Sequence, residues 1–159
     1  MNKLIFHAAL ALACLAPGAG ALAAAKVTFV NPDKMTDVPR HESDRESMKA
    51  ILLDHFNALA ARLPADQELK IEIIDVDLAG DVFPRVSIRD VRVLKGLGDR
   101  PAMHLRYSIE QNGKVLRSGE SHLSDAAYLV GSNRYGNDLY GHEKQMLDDW
   151  FRKDVIAKR

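Results

Sequence analysis

Residues 69–81, with the sequence LKIEIIDVDLAGD, constrain the fold more than any other part of the chain. Apolar residues alternate onto one face of a strand over 69–73, and onto the opposite face over 74–78. A strand covered on one side keeps a single phase. This strand is therefore either buried on both faces or bulged at Ile73 and Ile74, where the phase changes. Both interpretations predict a central strand.

The central strand ends in acidic residues. Asp75 and Asp77 share a face, and the chain turns at Asp81. Their spacing resembles the start of a calcium-binding loop, but Ala79 and Val86 stand where the fifth and twelfth ligands are required. We therefore interpret Asp77 and Asp81 as turn residues that accept backbone N–H groups, and we predict no metal and no cofactor.

Residues 1–25 have the pattern of a secretory signal peptide. Lys3 supplies the positive charge, an apolar run covers 4–15, and two small-residue cleavage sites follow. The apolar run is too short to span a bilayer, so we expect cleavage and export to the periplasm. The single cysteine, Cys14, lies in this segment. Ala11 stands where lipoprotein cleavage favours leucine, so lipid anchoring is not expected.

The remaining residues, 26–159, predict one domain without disulfides, held together by hydrophobic burial. They contain no further apolar run that would form a transmembrane segment after cleavage. The whole chain has 22 basic and 22 acidic side chains. No basic stripe interrupts this balance, which argues against nucleic acid as a partner.

The order of patterns predicts an α+β fold. A β-rich run at 26–30, a helical pattern over 43–63 and the central strand form a βαβ unit with parallel strands. Residues 86–95 predict a third strand, on which Arg92 could reach the acids of the neighbouring strand end. A helical pattern over 142–156 closes the chain. We expect a mixed sheet of about five strands with two long helices packed on one face.

A hairpin follows the third predicted strand. Residues 103–109 alternate strictly between apolar and polar, and Asn112 with Gly113 predicts a two-residue turn of type I′. The antiparallel register set by that turn points His104 and His122 to opposite faces of the sheet. This register excludes a two-histidine metal site.

The segment 131–141, GSNRYGNDLYG, is the most loop-like part of the chain. Loops of this composition often carry function, and Arg134 and Tyr135 are residue types that anchor interfaces. We expect a binding surface where this loop lies beside the acidic strand end. Its candidate residues are Asp75, Asp77, Asp81, Arg92, Arg134, Tyr135 and Asp138.

Familiar catalytic motifs are absent from the sequence. There is no G-x-S-x-G elbow, no P-loop, no dinucleotide fingerprint and no cysteine after cleavage. The preferred hypothesis is a non-enzymatic periplasmic module that binds an envelope protein or a small ligand. A second hypothesis is a hydrolase that uses Asp77, Asp81 and Asp138, with or without Mg²⁺ or Ca²⁺. A third is a structural envelope protein.

Four further segments form a recognisable set. They are DVDLAGD at 75–81, DVRVLK at 90–95, the hairpin GKVLRSGE at 113–120 and EKQMLDDWFRK at 143–153. In these segments the chain resembles one exported bacterial family, the domain of unknown function 3016. The resemblance implies an envelope location and a single domain. It implies no activity, and it assigns no catalytic residue.

Overall fold

The computed structural model describes residues 23–83, 91–96, 98–136 and 138–157. Residues 1–22 of the predicted signal peptide and residues 86–90 of the predicted third strand lie outside these ranges. The helices and strands, in chain order, are β1 (Ala25–Phe29), α1 (Glu42–Ala60), β2 (Gln67–Asp77), β3 (Asp81–Phe83), β4 (Val91–Val93), β5 (Ala102–Gln111), β6 (Lys114–Ser124) and α2 (Gly141–Trp150). A 3₁₀ turn at Pro32–Lys34 precedes α1, and α2 continues as a π-helix over Phe151–Ile156.

The main sheet has four strands in the order β1-β2-β5-β6. β1 runs parallel to β2 across the α1 crossover, and the remaining pairs are antiparallel. The predicted α+β class, mixed sheet, βαβ start and hairpin are confirmed. The count of about five strands in one sheet is wrong, because β4 pairs with β3 in a separate two-stranded ribbon. The chain reverses at Gly80, where φ is +80°, and β3 begins at once.

A bulge in β2 explains the change of phase in the central strand. Ile73 pairs with Leu105 and Asp75 with His104, so Ile74 is the extra residue. Because the bulge resets the alternation, Ile73 and Val76 both lie fully buried in the core. Of the two interpretations of this strand, the bulge is the correct one.

A second bulge, in β6, overturns the predicted hairpin register. The two-residue turn is present, with Gln111 paired to Lys114, but farther along Ile109 pairs with Arg117. One extra residue moves every later side chain to the other face. His104 therefore lies directly opposite His122, and the prediction that they occupy opposite faces is wrong.

One hydrophobic cluster joins the buried residues of both helices to the inner face of the main sheet. Its largest fully buried side chains include Phe56 of α1 and Phe151 at the end of α2. The outer face carries ion pairs instead, such as Lys70 with Glu110 and Arg106 with Glu72. Among the described residues, no helix has the length and apolar character needed to cross a membrane.

Candidate functional site

The acidic end of β2 is drawn together with the segment before α1. The Asp75 carboxylate accepts hydrogen bonds from the backbone N–H and the hydroxyl of Thr36, at 2.6 and 2.7 Å. The backbone N–H of Asp37 donates to the Val76 carbonyl at 2.8 Å. Asp37, Asp75 and Asp77 therefore surround one end of the strand, and Asp37 is a member that the sequence analysis missed.

Asp77 is half-buried in this acidic group. Burial raises the pKa of its carboxyl, and the charges of Asp37 and Asp75 raise it further, while Arg92 opposes them. Within the described part of the chain, no group donates a hydrogen bond to the Asp77 carboxylate. Its predicted role as an acceptor of turn N–H groups is therefore not seen; Asp75 is the acid that accepts backbone and hydroxyl donors here.

Arg92 of β4 contacts both the acidic end of β2 and the turn that follows it. Its Nη1 lies 2.7 Å from the Asp37 carboxylate and 2.7 Å from the Gly80 carbonyl oxygen. The carbonyls of Leu78 and Ala79 lie farther off, at 3.4 and 3.2 Å. Since Nη1 carries two hydrogens, the two short contacts are the principal bonds. Arg92 thus satisfies backbone acceptors of the turn and neutralises Asp37.

A cleft of about 450 Å³ opens beside Arg92. It lies between the start of α1, the β3–β4 ribbon and the residues that precede α2. Its apolar lining is Pro39, Val82, Leu139 and Tyr140. Its polar lining is Arg40, Asp44, Ser47 and Arg92. The cleft therefore combines an apolar surface with two cations and one acid, as small-molecule sites do.

Glu143, in the first turn of α2, connects that helix to the turn after β2. Its carboxylate accepts the Ala79 N–H at 2.7 Å, and the residue is only 3% exposed. Burial raises the pKa of Glu143, although the hydrogen bond from Ala79 opposes the rise. Glu143 is not among the seven candidate residues of the sequence analysis, because its partner, the Ala79 N–H, lies 64 residues away in the chain.

Glu143→Gln should change the pH dependence of stability. An acid with a raised pKa in the folded state stabilises the fold at low pH, and this contribution is lost as the pH rises through the folded pKa. Glutamine keeps an oxygen for the Ala79 N–H and cannot ionise. We therefore expect the Tm difference, variant minus wild type, to increase as the pH rises from about 4 to about 8.

Thermal melts followed by circular dichroism across that pH range would measure this difference. Glu42→Gln is the matched control, because Glu42 is an exposed acid at the start of α1. A Tm difference for Glu143→Gln that is the same at every pH would contradict the role of burial.

Arg134 and Tyr135 belong to a separate cluster around Asp148 of α2. The Tyr135 hydroxyl donates to the Asp148 carboxylate at 2.8 Å, and Arg134 lies 3.0 Å from the same oxygen. Nε2 of His55 in α1 lies 3.3 Å from the other oxygen, and the His55 ring stands at 85° to the Tyr135 ring, with their centroids 5.4 Å apart. Burial and the Asp148 bond raise the pKa of Tyr135 to about 12, and burial lowers the pKa of His55. This network fastens the 131–141 loop to both helices.

The remaining two candidate acids have lysine partners. Asp81 pairs with Lys95 across the β3–β4 ribbon, and Asp138 pairs with Lys144 at 2.7 Å. The structure therefore brings Asp75, Asp77 and Arg92 together and gives Asp81, Asp138 and the Arg134–Tyr135 pair separate partners. Only Arg92 of the seven candidates lines the cleft.

The comparisons with known proteins identify a family. The family model described as "Protein of unknown function (DUF3016)" matches residues 23–153. No curated protein matches the chain. No solved structure matches it.

Proposed function

The chain belongs to the DUF3016 family of proteins of unknown function, and from this premise we propose that it is a non-enzymatic periplasmic module that binds a small amphipathic ligand in the cleft beside Arg92. The observation that carries the proposal is the cleft itself. Its volume of about 450 Å³ lies within the usual range for small-molecule sites. The predicted export signal at residues 1–25 supports the periplasmic location.

The lining of the cleft defines the chemistry of the ligand. Pro39, Val82 and Leu139 offer an apolar surface, and Leu139 is 65% exposed. Arg40 makes no ion pair with any residue in the described ranges, so its charge is available. α1 also begins here, and its N-cap residue His41 makes no side-chain capping bond. A monocarboxylate with an apolar body fits these groups.

Asp44 limits the charge that the ligand can carry. It lines the same cleft and lies in the first turn of α1. A second negative charge on the ligand would therefore be repelled at close range. The Arg92 charge is already balanced by Asp37 at 2.7 Å, which leaves Arg40 as the main attraction for one carboxylate.

The arrangement supports binding better than hydrolysis. A carboxylate-based hydrolase needs two acids that face one reacting bond. Asp81 and Asp138 are instead paired with Lys95 and Lys144. Asp77 interacts with Asp37 and Asp75, neither of which lines the cleft. Acids lie near the cleft, but its lining contains one acid, Asp44, and not the pair that the hydrolase hypothesis requires.

A protein partner is the second candidate, and exposed apolar residues favour it. Six large apolar side chains lie exposed on the β3–β4 ribbon and around the 131–141 loop. They are Phe83, Val93, Leu94, Leu129, Val130 and Leu139. Contiguous exposed apolar residues are typical of interaction surfaces. By strand alternation, Phe83 and Val93 lie on the face of the ribbon opposite to Val82 and Arg92, so a protein bound to that face would not compete directly with a ligand in the cleft.

Titration with decanoate, followed by ¹H–¹⁵N NMR, tests the small-ligand proposal. We expect saturable shifts at the backbone amides of Ser47, Val82 and Tyr140, because these residues line the cleft. Decanamide, which lacks the charge, should bind at least ~10-fold more weakly if Arg40 contributes about 1.4 kcal/mol.

Two tryptophan variants separate the cleft from the rest of the surface. Ser47→Trp should abolish the decanoate shifts by filling the cleft. Ser118→Trp, at an exposed position of β6, should leave them unchanged. Shifts that survive in Ser47→Trp, or no saturable shift in the wild type, would refute the proposal.

A further inference from the structure

Two histidines and a glutamate meet on the outer face of the main sheet. The β6 bulge places His104 of β5 directly opposite His122 of β6. Glu120 precedes His122 by two residues and so shares its face. The two imidazole rings are stacked, with centroids 3.8 Å apart and an angle of 21° between their planes. The stacking places the ring nitrogens of His104 and His122 close together on the outer face of the sheet.

Glu120 reaches both histidines. Its Oε1 lies 2.6 Å from Nε2 of His104 and 4.0 Å from Nε2 of His122. One possible ligand atom from each of the three residues lies within 4.8 Å of the other two. Donors about 2.1 Å from a tetrahedral metal are ~3.4 Å from each other. Small rotations of these side chains would therefore give a metal-binding geometry.

From this geometry we infer that His104, Glu120 and His122 form a binding site for a late first-row transition metal ion such as Zn²⁺. Two imidazoles with one carboxylate are a donor set that suits Zn²⁺, with the fourth position left to water. Ca²⁺ and Mg²⁺ prefer all-oxygen ligands, so they should bind poorly here. The site is separate from the cleft and does not depend on its ligand.

The surroundings allow the ligands to move and a cation to approach. The side chains of His104, Glu120 and His122 are 24%, 51% and 75% exposed. Arg106, which stands opposite Glu120, is held by Glu72 at 3.1 Å, so its charge is offset. Both strands pair along most of their length, so the backbone holds the three ligands in register before the metal binds.

Isothermal titration of the full chain with ZnCl₂, using protein prepared without a histidine tag, tests this site. We expect one Zn²⁺ per chain and, at about 100 times the dissociation constant, a rise in Tm of about 5 °C or more. His104→Ala and His122→Ala should each weaken binding at least ~10-fold, since even residues that only support a ligand have effects of that size. MgCl₂ and CaCl₂ should give no such rise.

His41→Ala is the matched control, because His41 is an exposed histidine outside the cluster. This variant should bind Zn²⁺ as the wild type does, and the imidazole NMR signals of His104 and His122 should shift together in it. Three outcomes would overturn the inference: no Zn²⁺ binding, binding that survives both ligand variants, or an equal loss in His41→Ala. Circular dichroism would confirm that each variant folds.

Discussion

Gly80→Ala should lower the free energy of unfolding by about 3 kcal/mol and the Tm by about 10 °C. Gly80 has φ of +80°, a conformation that costs a residue with a side chain about 1–2 kcal/mol. A Cβ atom at this position would lie 2.6 Å from the carbonyl oxygen of Val93 and 2.8 Å from Cδ2 of Leu94. The Val93 oxygen belongs to the backbone of the β3–β4 ribbon, so the ribbon itself would have to shift.

A shift of Gly80 would also move its neighbours, because both its N–H and its carbonyl are hydrogen-bonded. Its N–H donates to the Asp99 carbonyl at 2.8 Å, and its own carbonyl accepts from Arg92 at 2.7 Å. The Asp99 carboxylate in turn accepts the Gly96 N–H and the Tyr128 hydroxyl, at 3.0 and 2.8 Å. Moving Gly80 therefore disturbs the turn, the ribbon and the loop after it.

Gly113→Ala provides the matched control for Gly80→Ala. Gly113 lies in the β5–β6 turn with φ of +75°, and an added Cβ meets nothing within 4 Å. This variant isolates the cost of the backbone conformation, about 1 kcal/mol, or a Tm decrease of about 3 °C. Denaturant unfolding of both variants measures the difference. Equal losses would show that the contact with Val93 costs nothing.

The sequence predicted the elements of the fold better than their registers. Periodicity identified β2 and both helices, because burial imposes a visible repeat on each of them, and the Asn112-Gly113 pair identified the hairpin turn. Each bulge lies at a pair of adjacent apolar residues, Ile73–Ile74 and Val115–Leu116, where strict alternation fails. The first pair indicates a bulge as one of two interpretations. The second pair follows an Asn-Gly turn, which by itself predicts a register without a bulge.

Burial of polar residues was the least predictable feature of the candidate site. Asp148 shows an i, i+4 spacing with Arg152, yet Arg152 pairs with Asp149 at 2.8 Å. Asp148 faces His55 of α1, which is distant in the sequence, and Tyr135, which lies 13 residues before it in the preceding loop. Glu143 similarly meets the Ala79 N–H across 64 residues. No local pattern encodes such contacts, because the packing of α2 against α1, the preceding loop and the turn after β2 brings the partners together.

Arg92→Ala should lower the free energy of unfolding by about 3 kcal/mol. The substitution removes a largely buried ion pair and the donor to a turn carbonyl. The side chains of Arg92 and Asp37 are 24% and 25% exposed. Without Arg92, the Gly80 carbonyl loses its donor, Asp37 loses its ion-pair partner, and Asp77 loses a cation that lowers the pKa of its carboxyl. Arg92→Lys should recover part of the loss, because an ammonium supplies the charge without the planar fork.

The pH dependence separates the charge of Arg92 from its packing. Arg92 lowers the pKa of Asp77, against burial and the charges of Asp37 and Asp75, which raise it. Removing the cation should raise the folded-state pKa of Asp77 further. A carboxyl group whose folded-state pKa is raised destabilises the fold at pH values above its unfolded-state pKa. Arg92→Ala should therefore lose more stability at about pH 7 than at about pH 4.

The double variant with Asp37→Ala should lose less stability than the sum of the losses in the single variants, since the two side chains interact directly. A loss that is constant with pH and additive with Asp37→Ala would mean that Arg92 acts at the strand end through packing alone.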